Sequence, residues 1–180
     1  MKISIVTPTF NEVENIEKIY EEIKKKFNEI KYDYEHLIID NNSTDGTVAK
    51  IRKLSENDKN LKIILNARNY GHIRSPFYAL LQTNSDATIL MSSDFQDPIE
   101  LIPKYIEEWK KGKKIVLGEK TSSEENKFKY SVRTLFYNFL NKISEFDLKK
   151  NTTGSGIFDK TIIEKLKKIN DPYQYFRGLI

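Results

Sequence analysis

Ala87-Thr88-Ile89-Leu90-Met91-Ser92-Ser93-Asp94-Phe95-Gln96-Asp97-Pro98 passes from an apolar run straight into a polar one, and an amphipathic segment opens at Ile99. A short apolar run bounded by polar turn residues reads as a buried strand, and the segment after Pro98 as a helix. Carboxylate and amide side chains just past a buried strand suit a hard cation and a diphosphate. Asp97-Pro98 also reads as a helix start, with Asp97 as N-cap and Pro98 at the first helical position.

Outward from this stretch, strands alternate with helices, which predicts an α/β fold with a mostly parallel sheet. Strands are expected at Ile3 to Thr7, His36 to Asp40, Ile63 to Leu65, Ala87 to Met91 and Ile115 to Leu117. A helix over Val13 to Phe27 puts Ile16, Ile19, Tyr20, Ile23 and Phe27 on one face, and one over Thr44 to Leu54 turns Val48, Ile51 and Leu54 inward. Further helices are expected at Ser75 to Gln82, Ile99 to Lys111, Tyr130 to Ile143 and Lys160 to Ile169, with Asp159 capping the last. Thr121 to Lys129 is polar and reads as a surface loop.

With 180 residues, 38% of them hydrophobic, the chain can bury one sizeable core and is expected to form one domain. The absence of cysteine excludes disulfides and thiolate metal sites. The apolar start Ile3 to Val6 is too short for a secretory signal, and no apolar run reaches the length of a membrane span. Residues 1 to 100 carry 13 Lys/Arg against 16 Asp/Glu, whereas residues 101 to 180 carry 17 against 10. The basic second half reads either as a solvated lysine-rich surface or as a face for an anionic partner such as a phosphate or lipid headgroup.

In an open parallel sheet, ligands bind at the carboxyl ends of the strands, and four polar loops fall there. They are Thr7-Pro8-Thr9-Phe10-Asn11-Glu12, Asp40 to Thr47, Asn66 to Gly71, and the stretch from Ser92. Singly, each has a structural reading: Asn11 or Ser43 as helix caps, Asp45-Gly46 as a turn. The dinucleotide glycine fingerprint is missing after the first strand, and there is no Walker loop. A nucleotide sugar suits the set: Pro8, Thr9 and Glu12 around base and ribose, Asp40 at the base, and a cation at Asp94 holding the diphosphate.

These motifs resemble the family 2 glycosyltransferases, which have the GT-A fold, and within them the polyprenyl-phosphate branch of dolichyl-phosphate mannose synthase and the bacterial GtrB-like proteins. The resemblance rests on Thr7 to Glu12, Asp40 to Thr47, Arg68-Asn69-Tyr70-Gly71 and Asp94-Phe95-Gln96-Asp97-Pro98, then on Arg133 with Phe136-Tyr137 and Asn141, and on Arg177-Gly178-Leu179. It implies a Rossmann-like sheet flanked by helices, with residues 1–120 binding the nucleotide sugar and 121–180 forming the acceptor side. The implied reaction is inverting transfer of a hexose, from a UDP-sugar in preference to a GDP-sugar, onto a polyprenyl phosphate such as undecaprenyl phosphate. Mg²⁺ or Mn²⁺ is expected on Asp94 and Gln96. Pro8, Thr9, Asn11, Glu12, Asp40, Asn42, Arg68, Ser93, Asp94 and Asp97 are expected to bind the nucleotide sugar, Asp97 touching the donor sugar. Asp94, Arg133 and Arg177 are expected to carry the catalysis. The chemistry would lie at the cytoplasmic face of a membrane, in a chain whose relatives continue into membrane helices and which could self-associate.

Two positions depart from the pattern. Ser92 stands where relatives usually have the first aspartate of the metal loop, which predicts a leaner metal site, or a silent binding module. Thr153-Gly154-Ser155-Gly156 stands where many relatives carry an aspartate and an arginine, so no catalytic base transfers there. A hydroxyl acceptor needs a base, whereas a phosphate monoester, with its second pKa near 6, is already mostly dianionic at neutral pH and needs arginines to position it. The remaining alternative is a soluble family 2 enzyme acting on a saccharide or protein hydroxyl, with Asp159 the nearest substitute base.

Overall fold

A computed structural model of the chain describes residues 1–119 and 152–169. Strand β1 (Lys2–Thr9) pairs in parallel with β2 (Asp33–Asp40) from Lys2↔Asp33 to Thr9↔Asp40, so Thr9 and Asp40 finish side by side at one sheet edge. β3 (Leu61–Leu65) adds in parallel outside β2, and β4 (Ala87–Leu90) in parallel on the other side of β1. The parallel strands expected from the sequence are therefore present: β1 extends at both ends, β2 and β3 start earlier, and β4 stops one residue sooner.

The strand absent from the sequence reading is β6 (Thr152–Asp159), which lies antiparallel between β4 and β5 (Ile115–Glu119) and makes the sheet order β3-β2-β1-β4-β6-β5. Glycines are depleted in strands, so Gly154 and Gly156 leave this segment with a weak strand signal in the sequence. In the sheet, Gly156 has the opposite use: a Cβ there would meet Val116 O at 2.3 Å, so only glycine lets the two backbones pair.

Helices cover both faces. α1 (Ile16–Ile30), α2 (Thr47–Glu56) and α4 (Leu101–Lys110) pack one face through Ile16, Ile19, Phe27, Ile51, Ile102 and Trp109 against Ile3, Ile5, Ile38, Ile89 and Ile157. α3 (Gly71–Leu81) and α5 (Lys160–Lys167) pack the other through Phe77, Leu80, Ile163 and Leu166 against Val6, Leu37, Ile39, Leu90 and Phe158. Neighbouring strand residues fall into opposite clusters, as the two-residue pleat requires, and both faces of the central strands β1, β2 and β4 are buried, as expected of a parallel sheet between helices.

Helix starts moved where loop chemistry competes. α1 begins at Ile16, not Val13, because Glu12 O takes the N–H groups of both Asn15 and Ile16 in a preceding turn. α3 begins a turn before Ser75, at Gly71 with φ +83°, and carries Pro76 inside it. Asp97 is not an N-cap: α4 starts at Leu101 after a turn in which Pro98 O and Ile99 O accept from Leu101 and Ile102, and the Asp97 carboxylate has another partner. Asp159 does cap α5, accepting from Thr161 N at 3.0 Å, and also accepts from Trp109 Nε1 at 2.8 Å, which ties α4 to the end of β6. The expected helix Tyr130 to Ile143 and loop Thr121 to Lys129 lie outside the described residues, as do Arg133 and Arg177.

Candidate functional site

The carboxyl ends of β1, β2 and β4, the start of α3 and the Gly154-Ser155 segment of β6 enclose a cleft of about 750 Å³. Its lining includes Pro8, Thr9, Asn41, Asn69, His72, Ser92, Gln96, Asp97 and Ser155. Four separate loops therefore converge on one volume, as the open-sheet rule requires.

The first two loops are stitched together by side chains. Asn11, at φ 54°, donates its N–H to Ser43 Oγ at 2.8 Å and accepts from Thr44 N at 2.9 Å through Oδ1. Glu12 N donates to Thr47 Oγ1 at 2.9 Å, and the Glu12 carboxylate accepts from Asn15 Nδ2 at 2.8 Å. Asp45 caps Thr47 N at 3.0 Å and accepts from Val13 N at 3.1 Å. Asn11 and Ser43 thus serve as cross-loop ties, not as helix caps. Asp40 is buried at the end of β2, where its carboxylate accepts from Ser43 N at 2.9 Å and Ser43 Oγ at 2.5 Å. Asn42 is exposed, with φ 68°.

Asn41, which the sequence reading passed over, is the hinge between the second and third loops. Its Nδ2 donates to Asn69 Oδ1 at 2.8 Å and Gly71 O at 3.4 Å, while its Oδ1 accepts from Tyr70 N at 2.9 Å and Asn66 Nδ2 at 3.1 Å. Only an amide offers donors and an acceptor together in this way. The signal in the sequence is an asparagine directly after the aspartate that ends an apolar strand. Arg68 is exposed on the same loop, its guanidinium 4.8 Å from the Tyr70 ring centroid.

In the fourth loop, Ser93 is buried and donates to Pro8 O at 3.1 Å, fastening the loop to the end of β1. Asp94 is exposed and accepts from Gln96 N at 3.2 Å, around Phe95 at φ 57°. Gln96 lines the cleft, whereas Asp94 stands outside the lining. Asp97 is buried and accepts a short hydrogen bond from Ser155 Oγ. Ser92 Oγ and Thr9 Oγ1 are buried with no hydrogen-bond partner. Unpartnered buried hydroxyls on a cleft wall call for a ligand or water to satisfy them.

Among the described residues, no three of His, Cys, Asp and Glu come together. Asp94 and Gln96 supply two oxygen donors, with the unsatisfied Ser92 hydroxyl in the same loop. Magnesium and manganese favour oxygen ligands, and Mg²⁺ keeps several waters while needing few protein groups, so the residues fit a lean site. Asp97 is the one carboxylate among the described lining residues, which include no lysine or arginine.

Among the described residues, no helix is long and apolar enough to cross a membrane. Comparison with known proteins adds a family match: the model described as glycosyl transferase family 2 covers residues 4–167. A bactoprenol glucosyl transferase of Shigella phage SfX is 32% identical over 182 residues, covering 100% of this chain and 59% of the relative. The chain thus spans little more than half the length of that relative. Two solved structures share the fold at 19% identity. Glucosyl-3-phosphoglycerate synthase from Mycobacterium tuberculosis, in complex with Mn²⁺, UDP and phosphoglyceric acid, has a TM-score of 0.63 over 89% of this chain and 56% of that one. A mannosyltransferase from Pyrobaculum calidifontis, in complex with GDP-Man and Mn²⁺, has a TM-score of 0.59 over 91% of this chain and 46% of that one.

Proposed function

The chain belongs to glycosyl transferase family 2, and from that premise we propose that it moves a hexose from a nucleotide sugar to a polyprenyl phosphate at the cytoplasmic face of a membrane. The donor is UDP-linked in preference to GDP-linked. The observation that carries the reading is the convergence of the Pro8-Thr9, Asp40-Asn41, Asn69 and Ser92 to Asp97 loops on one cleft at the carboxyl ends of the parallel strands. The likeness to a bactoprenol glucosyl transferase supports the lipid-phosphate acceptor.

The nucleoside lies along the stitched loops, against Pro8, Thr9, Asn11, Glu12, Asp40 and Asn42, with Ser93 fastening the metal loop beneath it and Arg68 beside the phosphates. The described lining carries no cationic side chain, so the diphosphate needs charge from elsewhere. Asp94 and Gln96 would hold Mg²⁺ or Mn²⁺, which when bound neutralises the charge developing on the leaving diphosphate. Arg133 and Arg177 would clamp the acceptor phosphate, since a guanidinium grips phosphate oxygens bidentately. A phosphate oxygen attacks the anomeric carbon, the bond from that carbon to the diphosphate breaks with its electron pair on UDP, and the configuration inverts. No base is required, because the acceptor is already ionised. On this reading residues 1–120 form the donor half and 121–180 the acceptor half.

Purified chain with Mn²⁺ and radiolabelled UDP-glucose, UDP-galactose or UDP-N-acetylglucosamine tests the proposal, with undecaprenyl phosphate and a saccharide panel as acceptors. Lipid-linked product is the expected result; product with saccharides alone would transfer the reading to a hydroxyl acceptor. The neutral Ser92 favours a second reading, a silent nucleotide-sugar binder. Calorimetry separates it: metal-dependent UDP binding without turnover on any acceptor supports silence.

A further inference from the structure

Among the described residues, five of the eight exposed large hydrophobic side chains stand at the carboxyl ends of the parallel strands: Phe10, Leu65, Tyr70, Ile73 and Phe95. Phe10 directly follows β1, Leu65 ends β3, Tyr70 and Ile73 bracket the start of α3, and Phe95 lies in the fourth loop. Phe10 and Ile73 also line the cleft. Exposed apolar residues scattered singly need no explanation, but a group gathered on one rim does.

Phe95 carries a second, independent mark. Its φ is 57°, a left-handed conformation that is costly for a bulky side chain, yet the residue is 36% exposed and belongs to neither buried cluster. Glycine or asparagine would sit there at little cost. Packing among the described residues therefore does not account for an aromatic ring at the tip of this turn, and a surface that the ring meets from outside does.

The composition of the rim selects that surface. Aromatic and branched side chains suit the boundary between headgroups and acyl chains, where an apolar body is buried and a polar tip stays wet. The Arg68 guanidinium stands 4.8 Å from the Tyr70 ring centroid, which sets a cation beside the aromatic group where a lipid phosphate can meet it. The net charge of +4 favours an anionic leaflet over a neutral one.

We propose that Phe10, Leu65, Tyr70, Ile73 and Phe95 form a rim that docks on the interface of an anionic phospholipid bilayer and sets the mouth of the cleft against it. The proposal rests on the lipid-phosphate reading above and adds to it a surface and an orientation. The carboxyl ends of the strands face the bilayer. The amino ends, where Trp109 donates to Asp159 beside the first residue of β4, point away.

Trp109 is the only tryptophan of the chain and is 9% exposed, so it serves as an internal control. Phe95→Trp and, separately, Phe10→Trp place a reporter on the rim of the full 180-residue chain. Vesicles of equimolar phosphatidylethanolamine and phosphatidylglycerol with brominated acyl chains quench an indole that reaches the acyl boundary. Both reporters should be quenched, and Trp109 of the wild type should not. Phe95→Asn, which relieves the strained φ, should keep or raise Tm while weakening co-sedimentation with the vesicles about tenfold, the effect of withholding part of one aromatic side chain from burial. Unquenched reporters overturn the proposal even where the chain sediments with vesicles, since lysines alone then hold it there. Vesicle binding unmoved by Phe95→Asn overturns it as well, and so does quenching of Trp109 equal to that of the reporters, which denies the orientation. Quenched reporters without any lipid-linked product leave the rim standing and refute the lipid-phosphate reaction alone.

Discussion

Replacing Asn41 with alanine should loosen the cleft and the fold together. Asn41 is 6% exposed and holds three well-placed hydrogen bonds, at 2.8, 2.9 and 3.1 Å, besides a longer contact to Gly71 O at 3.4 Å. At a net worth of about 1 kcal/mol per bond, the three account for about 3 kcal/mol. Two of the partners keep a second bond: Asn69 Oδ1 still accepts from Gly71 N at 2.7 Å, and Asn66 Nδ2 still donates to Ser75 Oγ at 3.0 Å. Tyr70 N–H loses the acceptor it has, so the estimate falls at about 2–4 kcal/mol, or roughly 4–16 °C in Tm for a chain of this size. Asn41→Asp keeps the acceptor for Tyr70 and Asn66 but turns a donor into an acceptor facing Asn69 Oδ1, and should also destabilise. Urea unfolding at pH 7 with the m-value checked for constancy measures both, and UDP affinity should weaken in parallel. A loss below about 0.5 kcal/mol for the alanine variant, inside the range of ordinary surface substitutions, would refute the claim that this amide holds the loops.

Four other outcomes follow from particular residues. Burial, only partly offset by Asp58, lowers the His36 pKa to about 3, so between pH 6.5 and 3 the unfolded chain binds a proton that the folded chain does not. Stability should therefore fall as pH drops through that window; urea midpoints at pH 7, 6 and 5 should decline for wild type and flatten in His36→Gln. Glu35, which burial would raise but Lys2, Lys62 and Ser4 bring down to about 2, loses its contribution only as pH falls from 4.5, leaving the upper window to His36. Gly156→Ala puts a Cβ 2.3 Å from Val116 O and 3.1 Å from Leu117 Cα, and should cost about 3 kcal/mol by thermal melting. At Gly112, with φ +97° and nothing within 4 Å, the same change should cost about 1–2 kcal/mol from backbone strain alone. Ser92→Asp places a carboxylate where a buried hydroxyl has no partner, and should lower the Tm of metal-free chain while raising Mn²⁺ affinity in the presence of UDP. Unchanged Mn²⁺ affinity by electron paramagnetic resonance would show that the loop does not hold metal as proposed.

Much of the donor half was legible from the sequence. Ile16, Ile19, Tyr20, Ile23 and Phe27 recur at helical spacing, and all five are buried on α1. The apolar runs at Ile3, His36 and Ala87 are parallel strands because each is short, rich in branched residues and followed by a polar loop. Helix starts were less legible. A side chain near a helix start can cap it or bind elsewhere, and the choice depends on which partner packing delivers: Asp159 found Thr161, two residues on, whereas Asp97 found Ser155 across the fold.

By itself, then, the sequence determined the α/β order, the helix faces and the four loops at one sheet edge, since periodicity and turn chemistry act over a few residues. The family resemblance rested on those loops, and the match over residues 4–167 bears it out. Only the tertiary structure decided that Thr152–Asp159 is a strand, because Gly156 earns its place through contact with Val116 and Leu117. That insertion carries Ser155 to Asp97, and separately the parallel pairing of β2 with β3 brings Asn41 against Asn66, Asn69 and Tyr70. Such pairings join residues separated by tens of positions, and a hydrogen bond of that kind leaves no local periodicity to read.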